Sequence, residues 1–121
     1  MRIFKTKAFD CWAIKTGLNN EVFQESVAEI QLGQYEASLG GYLYKKRIAL
    51  GNKGKNGGVR TVIAFKNTDK AIFVYGFAKN KKANIAPTEL AALKKLVKLY
   101  FSYTDEQIIK ILKIKEFIEV E

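Results

Sequence analysis

Basic side chains crowd one part of this sequence and define the chemistry that is open to it. The stretch from Tyr42 to Lys82 holds 11 of the 21 Lys and Arg residues and a single acid, Asp69, so its charge exceeds the net +9 of the whole chain. Clustered ammonium and guanidinium groups attract the phosphates of a polyanion. The pattern therefore favours a nucleic acid as the partner over a merely solvated cationic surface. These basic residues are Lys45, Lys46, Arg47, Lys53, Lys55, Arg60, Lys66, Lys70, Lys79, Lys81 and Lys82.

Two absences narrow the possible reactions further. The chain has no histidine and one cysteine, Cys11, which excludes Ser-His-Asp and Cys-His catalysis, an internal disulfide and an ordinary zinc site. We therefore expect no metal and no cofactor, and any proton transfer has to come from Lys, Arg, Tyr, Asp, Glu, Ser or Thr. No apolar run of membrane-spanning length and no secretory leader occurs, so a cytoplasmic protein is expected.

The basic stretch is predicted to fold as an antiparallel meander of three strands. Tyr42–Ala49, Val59–Phe65 and Ala71–Ala78 are rich in β-branched and aromatic residues, and the last of them is apolar enough to lie in mid-sheet. The Gly- and Lys-rich segment 50–58 reads as a loop, and residues 67–69 fit a hairpin turn. Cations would then lie on the strands, on one loop and just beyond the last strand.

Helices and short strands are predicted around this meander in a single domain, residues 1–121. Arg2–Lys5 alternates like a strand and, being short and basic, is predicted at a sheet edge. A helix follows from Lys7 to about Gly17, and a second begins after Asn19 or Asn20 and stops at Gly33. Residues 34–41 are predicted to be a connector without regular structure.

The C-terminal part is predicted to hold two helices and a final strand. Pro87 fits the first position of a helix whose apolar positions include Leu93, Leu96, Val97 and Tyr100. Thr104 opens a capping box, and the alternation over residues 116–121 is typical of a strand. The element order, β-α-α-β-β-β-α-α and then a possible strand, indicates the α+β class.

Three side chains near the N-terminus allow a functional or a structural interpretation. Phe9 and Trp12 could stack on bases, but aromatic residues at helical spacing more often fill a core. We therefore predict an apolar stripe that contains Ala8, Cys11, Trp12 and, close by, Ile14. Cys11 is expected to be a buried apolar residue and not a nucleophile.

Several segments together resemble a known toxin family. Residues 57–65 (GGVRTVIAF), 73–85 (FVYGFAKNKKANI) and 89–96 (ELAALKKL) are similar to the RelE/HigB-type toxins of bacterial type II toxin–antitoxin systems. Within that superfamily they resemble the HigB-like branch, which has a Lys- and Gly-rich loop before a G-G-x-R-T strand. The similarity covers nearly the whole chain.

The resemblance implies both a fold and an activity. The fold would be microbial-RNase-like, with a twisted antiparallel sheet packed against an N-terminal helical hairpin and with C-terminal helices. The activity would be ribosome-dependent cleavage of mRNA in the ribosomal A site, which inhibits translation and arrests growth. The implied partners are the ribosome, mRNA and a cognate antitoxin, expected to be a helix-turn-helix DNA-binding protein.

The resemblance also assigns candidate site residues by position. Arg60 matches the arginine on the strand after the basic loop, and Lys79 or Lys81 matches the cation beyond the next strand. Phe117 stands near the position of the aromatic or histidine residue with which many relatives end. The candidate catalytic residues are Arg60, Lys79, Lys53 and Lys55. The candidate RNA-binding residues are Lys45, Lys46, Arg47, Lys81 and Lys82.

RNA cleavage by a 2′-hydroxyl needs a base, stabilisation of charge on the phosphorus oxygens, and an acid for the leaving 5′-oxygen. The forked, permanently charged guanidinium of Arg60 suits the second role, although Arg60 in an ion pair on a sheet face is the structural alternative. A lysine could act as the base if neighbouring cations lowered its pKa. The identity of the base stays open.

Two other functions are compatible with the same residues. Related toxins poison DNA gyrase by binding it, and a non-catalytic RNA-binding protein would use the same cations with Tyr42, Tyr44 and Tyr75 as stacking platforms.

Overall fold

A computed structural model describes residues 1–50 and 58–121 of the chain and confirms the α+β class. The strands are β1 (Arg2–Thr6), β2 (Ala37–Gly40), β3 (Leu43–Ile48), β4 (Val59–Phe65), β5 (Lys70–Ala78) and β6 (Phe117–Val120). The helices are α1 (Lys7–Thr16), α2 (Asn20–Gln31), α3 (Pro87–Ser102) and α4 (Asp105–Lys113).

All six strands form one sheet in the order β2-β3-β4-β5-β1-β6. The predicted meander is present as β3, β4 and β5, and β5 lies in mid-sheet as expected. Neighbouring strands are antiparallel except β1 and β5, which run parallel, so the sheet is mixed. The meander is therefore extended by one strand on one side and by two on the other.

Two predictions about the strands were wrong. β1 was expected at an edge but lies between β5 and β6, because the C-terminal strand pairs with its free side. The supposed connector over residues 34–41 contains β2, which pairs with β3 and carries an irregularity between Ser38 and Gly40. So short and irregular a strand has too few residues for a recognisable alternation.

The helix boundaries follow the capping residues that the sequence indicates. The Asn19 side chain accepts a hydrogen bond from the amide of Val22 at 3.1 Å, and Thr104 and Gln107 form a reciprocal capping box. Gly17 closes α1 with φ at 84°, a conformation that glycine adopts without steric cost. Pro87 occupies the first position of α3.

Apolar side chains fill the space on both faces of the sheet. On one face, the hairpin of α1 and α2 packs Phe9, Phe23 and Val27 against Ile63 and Phe73. The opposite face packs against α3 and α4, where the buried side chains include Phe4, Val62, Ile72, Val97 and Ile108. The N-terminal helical hairpin thus packs against the sheet as predicted, and α3 and α4 form a second helical layer on the opposite face.

The buried face of α1 differs from the predicted one. Phe9 and Ala13 are buried and Trp12 packs against them, which confirms the core interpretation of both aromatic residues. Trp12 lies so close to the sheet that a Cβ at Gly76 would come within 2.2 Å of its ring. Cys11, however, is exposed, so its predicted burial was wrong. The i, i+4 pair Phe9 and Ala13 points at the sheet, which turns Cys11 outward.

No helix in the described part of the chain is long and apolar enough to cross a membrane.

Candidate functional site

Two neighbouring rows of residues cross β3, β4 and β5 on the face of the sheet opposite the helical hairpin. The register fixes which residues share each row. One row contains Arg47, Arg60 and Phe77, and the next contains Lys45, Val62 and Tyr75. Because residues two apart on a strand point to the same face, the cations of both rows lie side by side.

A carboxylate holds three of these cations together. Glu36, just before β2, is fixed to β3 by a hydrogen bond from its amide to the Lys45 carbonyl at 2.8 Å. Its Oε2 lies 3.2 Å from Arg60 Nε, and its Oε1 lies 3.2 Å from Lys45 Nζ. Arg47 Nε also pairs with Glu36 Oε2. We call Glu36, Lys45, Arg47 and Arg60 the Glu36 cluster.

The members of the Glu36 cluster lie at different depths. The Arg60 side chain is 3% exposed, whereas that of Arg47 is 42% exposed. Arg60 thus does form the ion pair that the structural interpretation expected, but in a buried position. Two arginines directly opposite each other on adjacent strands repel, and the Glu36 carboxylate between them offsets that repulsion. The cluster keeps an excess of two positive charges.

The pKa of Glu36 is lowered by its neighbours. Burial alone would raise the pKa of this carboxyl, but hydrogen bonds from Arg47 and Lys45 and the charges of Lys45 and Arg60 lower it further than burial raises it. Glu36 is therefore ionised at neutral pH and acts as a fixed counter-charge. A carboxylate with a lowered pKa is a weak proton acceptor.

A second group of charged residues adjoins the first. The Tyr75 hydroxyl donates to Glu89 Oε2 at 2.9 Å and accepts from Lys82 Nζ at 2.9 Å, and Lys82 also pairs with Glu89 Oε1. We call these three residues the Glu89 cluster. Lys45 Nζ donates to Asn84 Oδ1 at 3.3 Å, which connects the strand cations to the segment that carries Lys82.

Hydrogen bonds set the ionisation of the Glu89 cluster. The Lys82 ammonium, the Tyr75 hydroxyl and the Ala86 amide lower the pKa of Glu89 to about 2. The same contacts with Glu89 and Tyr75 raise the pKa of Lys82. Lys82 therefore stays protonated at neutral pH, as binding a phosphate requires, and is unsuited to act as a base.

We expect the Glu89 carboxyl to titrate with a midpoint near pH 2 in a ¹³C NMR titration. Lys82→Met removes the first of the hydrogen bonds that lower this pKa, so the midpoint should rise towards the ordinary value near 4.3. Lys98→Met, an equal loss of charge about two turns further along α3, is the matched control and should leave it unchanged. Equal midpoints in wild type and Lys82→Met would contradict the network.

Lys79 and Lys81 lie at the end of β5 that is nearest to Arg60. Arg60 on β4 lies opposite Phe77 on β5. Lys79 follows Phe77 by two residues, roughly 7 Å further along the chain. Both lysines are exposed in the turn that the Lys81 amide closes onto the Ala78 carbonyl at 3.1 Å. The predicted catalytic pair Arg60 and Lys79 is thus brought to one end of the meander.

Lys46 lies apart from the other candidates. Alternation along β3 turns its side chain towards α2, where Nζ lies 3.0 Å from Glu29 Oε1 and the side chain is 5% exposed. It is therefore on the opposite face of the sheet from Lys45 and Arg47. Lys53 and Lys55 lie outside the described residues, so their predicted roles stay predictions.

Sequence reasoning missed the acids of this site. Glu36 lies in the predicted connector over residues 34–41, and Glu89 was given no role of its own. One signal was available in each case. Glu36 is the last acid before β3, which contains three basic residues, and Glu89 lies seven residues after Lys82. In the described ranges, 1–50 and 58–121, no group of acidic and Cys side chains is arranged to hold a metal ion.

One comparison with known families identifies the family of this chain. A family model described as "RelE toxin of RelE / RelB toxin-antitoxin system" matches residues 1–120. No curated protein matches the chain. Since the family model spans essentially the full sequence, the chain belongs to the RelE toxin family of toxin–antitoxin systems.

Proposed function

We propose that the protein is a ribosome-dependent endoribonuclease of the HigB-like branch, which cleaves mRNA in the ribosomal A site and so inhibits translation and growth. The observation that carries this proposal is the Glu36 cluster, in which the buried Arg60 lies beside the largely buried Lys45 and the more exposed Arg47 on one sheet face. The excess positive charge of that face fits a phosphodiester better than it fits a neutral substrate.

The proposed reaction is an internal transesterification. The 2′-oxygen of a ribose attacks the adjacent phosphorus and loses its proton, the bond from phosphorus to the 5′-oxygen breaks, and that oxygen takes up a proton. The products are a 2′,3′-cyclic phosphate and a 5′-hydroxyl. Charge grows on the non-bridging oxygens, and the Arg60 guanidinium is the group proposed to stabilise it.

Lysines are proposed for the other roles. Lys79, exposed near Arg60, and Lys53 and Lys55 are proposed for proton transfer or phosphate contacts. Lys45, Arg47, Lys81 and Lys82 are proposed to hold neighbouring phosphates. The raised pKa of Lys82 supports a binding role for it. Lys46 is left out, because it faces α2 and pairs with Glu29.

An antitoxin partner follows from the family, and its kind is part of the proposal. We propose a helix-turn-helix DNA-binding antitoxin with an acidic segment that covers the Glu36 cluster and excludes RNA by charge complementarity. The proposed activity belongs in the cytoplasm, where the translating ribosome is found.

Primer extension on an mRNA in a reconstituted translation reaction tests the proposed activity. We expect new RNA 5′-ends within codons when ribosomes are present and none when they are omitted, because the ribosome positions the scissile phosphate. Translation that continues on intact message would contradict the proposal and favour a gyrase poison. Translation that stops without cuts would favour a non-catalytic RNA-binding protein.

A further inference from the structure

A pocket at the other end of the sheet combines aromatic rings with lysines. It lies between the β2–β3 turn, the β4–β5 turn and α3, and it has a volume of about 450 Å³, within the range of ligand sites. Its lining residues are Gly41, Tyr42, Lys66, Lys94, Val97, Lys98, Phe101 and Ser102. We call it the Tyr42 pocket.

The Tyr42 pocket is separate from the Glu36 cluster. Lys66 directly follows β4, whereas Arg60 is the second residue of that strand. Lys66 is six positions after Arg60 along an extended strand, a distance of roughly 20 Å. A ligand in the pocket would therefore leave the Glu36 cluster accessible.

Aromatic rings and an ammonium group make up the core of the pocket. The rings of Tyr42 and Phe101 meet edge to face, with centroids 5.9 Å apart and planes at 72°. Lys66 Nζ lies 5.3 Å from the Tyr42 centroid and 5.9 Å from the Phe101 centroid. Tyr42 is 52% exposed, so a ligand can reach this residue from solvent.

An unusual turn fixes Tyr42 and Lys94 in place. Gly40, Gly41 and Tyr42 all have positive φ, at 81°, 60° and 64°, which is uncommon for a bulky side chain such as tyrosine. A Cβ at Gly40 would lie 3.3 Å from Lys94 Nζ, and one at Gly41 would lie 3.3 Å from Lys94 Cγ. The two glycines thus let the Lys94 side chain lie along the turn, with its stem at Gly41 in the pocket and its ammonium group at Gly40.

The lysines that line this pocket make no ion pair with the described residues, unlike the cations of the Glu36 cluster. Its lining contains three lysines and no acid. Lys94 and Lys98 are one helical turn apart, where like charges repel. In the described part of the chain, Lys66, Lys94 and Lys98 form no ion pair. An anion is the ligand that would relieve this repulsion.

We propose that the Tyr42 pocket binds an unpaired nucleotide of an RNA strand. The base would stack on Tyr42 or Phe101, and the flanking phosphates would lie on Lys66, Lys94 and Lys98. Open aromatic faces beside lysines are the combination by which proteins hold single-stranded RNA. The choice of RNA as the polyanion rests on the proposed function, while the pocket itself is a second contact, remote from the cleavage site.

Fluorescence anisotropy with a short labelled 2′-O-methyl oligonucleotide tests the proposal without ribosomes. This probe lacks the 2′-hydroxyl and is not cleaved, so binding is read apart from chemistry. We expect Phe101→Leu, which keeps an apolar side chain, to weaken binding roughly tenfold through lost stacking. We expect Lys66→Ser/Lys98→Ser to weaken it at least tenfold and to flatten the salt dependence. Circular dichroism of each variant checks that it folds.

Lys110→Ser/Lys113→Ser is the matched control, because it removes the same charge from exposed positions on α4. Three outcomes would overturn the proposal: the pocket variants bind like this control, an abasic strand binds wild type as tightly as the probe, or an acidic peptide binds with the same sensitivity to Phe101→Leu. If primer extension finds no cleavage while Phe101→Leu still weakens binding, the nuclease proposal fails and the pocket stands. If primer extension finds cleavage while Phe101→Leu binds RNA like wild type, only the pocket proposal fails.

Discussion

Arg60→Ala is expected to slow cleavage of ribosome-bound mRNA by roughly 10²–10³, the usual effect of removing one group that stabilises transition-state charge. The guanidinium can donate two hydrogen bonds to one phosphate, and alanine can donate none. Single-turnover cleavage on ribosomes programmed with one mRNA measures the change. Arg60→Lys keeps the charge without the fork, so an intermediate rate is expected.

The chain supplies a matched control for this experiment. Arg2 is the first residue of β1, where it pairs with Glu119 at 2.8 Å. It lies opposite Lys70 at the start of β5, whereas Arg60 lies opposite Phe77 near the end of that strand. Arg2→Ala should therefore cleave at the wild-type rate. Arg60→Ala protein that shows a normal circular dichroism spectrum and cleaves as fast as Arg2→Ala would contradict the assignment of Arg60.

The depth of Arg60 has a consequence for how RNA binds. A side chain that is 3% exposed cannot meet a phosphate until the groups over it move. Arg47, opposite Arg60 and 42% exposed, is the cation of the cluster that RNA can reach first. Arg47→Ala is thus expected to weaken binding more than it slows the chemical step.

Glu36→Gln is expected to lower the free energy of unfolding by about 1–3 kcal/mol at neutral pH, the range for a buried charged group that loses its partner. Arg60 and Lys45 are largely buried and would lose a counter-charge, and the repulsion between the opposed arginines would increase. Urea denaturation monitored by Trp12 fluorescence measures the loss. Glu21→Gln, at an exposed position on α2, is the control and should change stability little.

The pH dependence of this loss has a definite sign. The folded state lowers the pKa of Glu36, so its contribution is complete above the unfolded pKa near 4.3 and disappears as the pH falls through the folded value. The stability difference between wild type and Glu36→Gln should therefore be constant near neutral pH and shrink below about pH 4. A difference that stays unchanged on acidification would show that the charge of Glu36 is not what stabilises the cluster.

Local signals predicted most of the fold. The caps at Asn19, Pro87 and Thr104 and the strands of the meander were readable because each depends on a few adjacent residues. The position of β1 could not be predicted in this way, because it depends on a parallel partner and on the C-terminal strand, both of which are remote in sequence. The exposure of Cys11 was missed for a related reason: the sheet, and not the local pattern, selects the buried face of α1.

The site was predicted unevenly for the same physical reason. Charge density marked the basic stretch as a whole, and the family resemblance assigned Lys45, Arg47, Arg60 and Lys82 within it; the structure brings these four to one face. The strand alternation that separates Lys46 from them was readable but was not applied. Glu36 could be recognised only once β2 placed it beside β3, because its importance lies in the contacts it makes and not in its sequence neighbours.

The central position of β1 also bears on how quickly and in what order the protein folds. The meander joins strands that are close in sequence, whereas Arg2 pairs with Lys70 and Ile3 pairs with Val120. Such distant pairings form late, because the entropy of closing a long loop is lost before any contact compensates for it. In the sheet, β6 pairs with β1 and with no other described strand, so its amide hydrogens can be protected from exchange only after β1 has docked. We therefore expect β1 to limit the rate at which this half of the sheet assembles, and a weakened β1 to release β1 and β6 together.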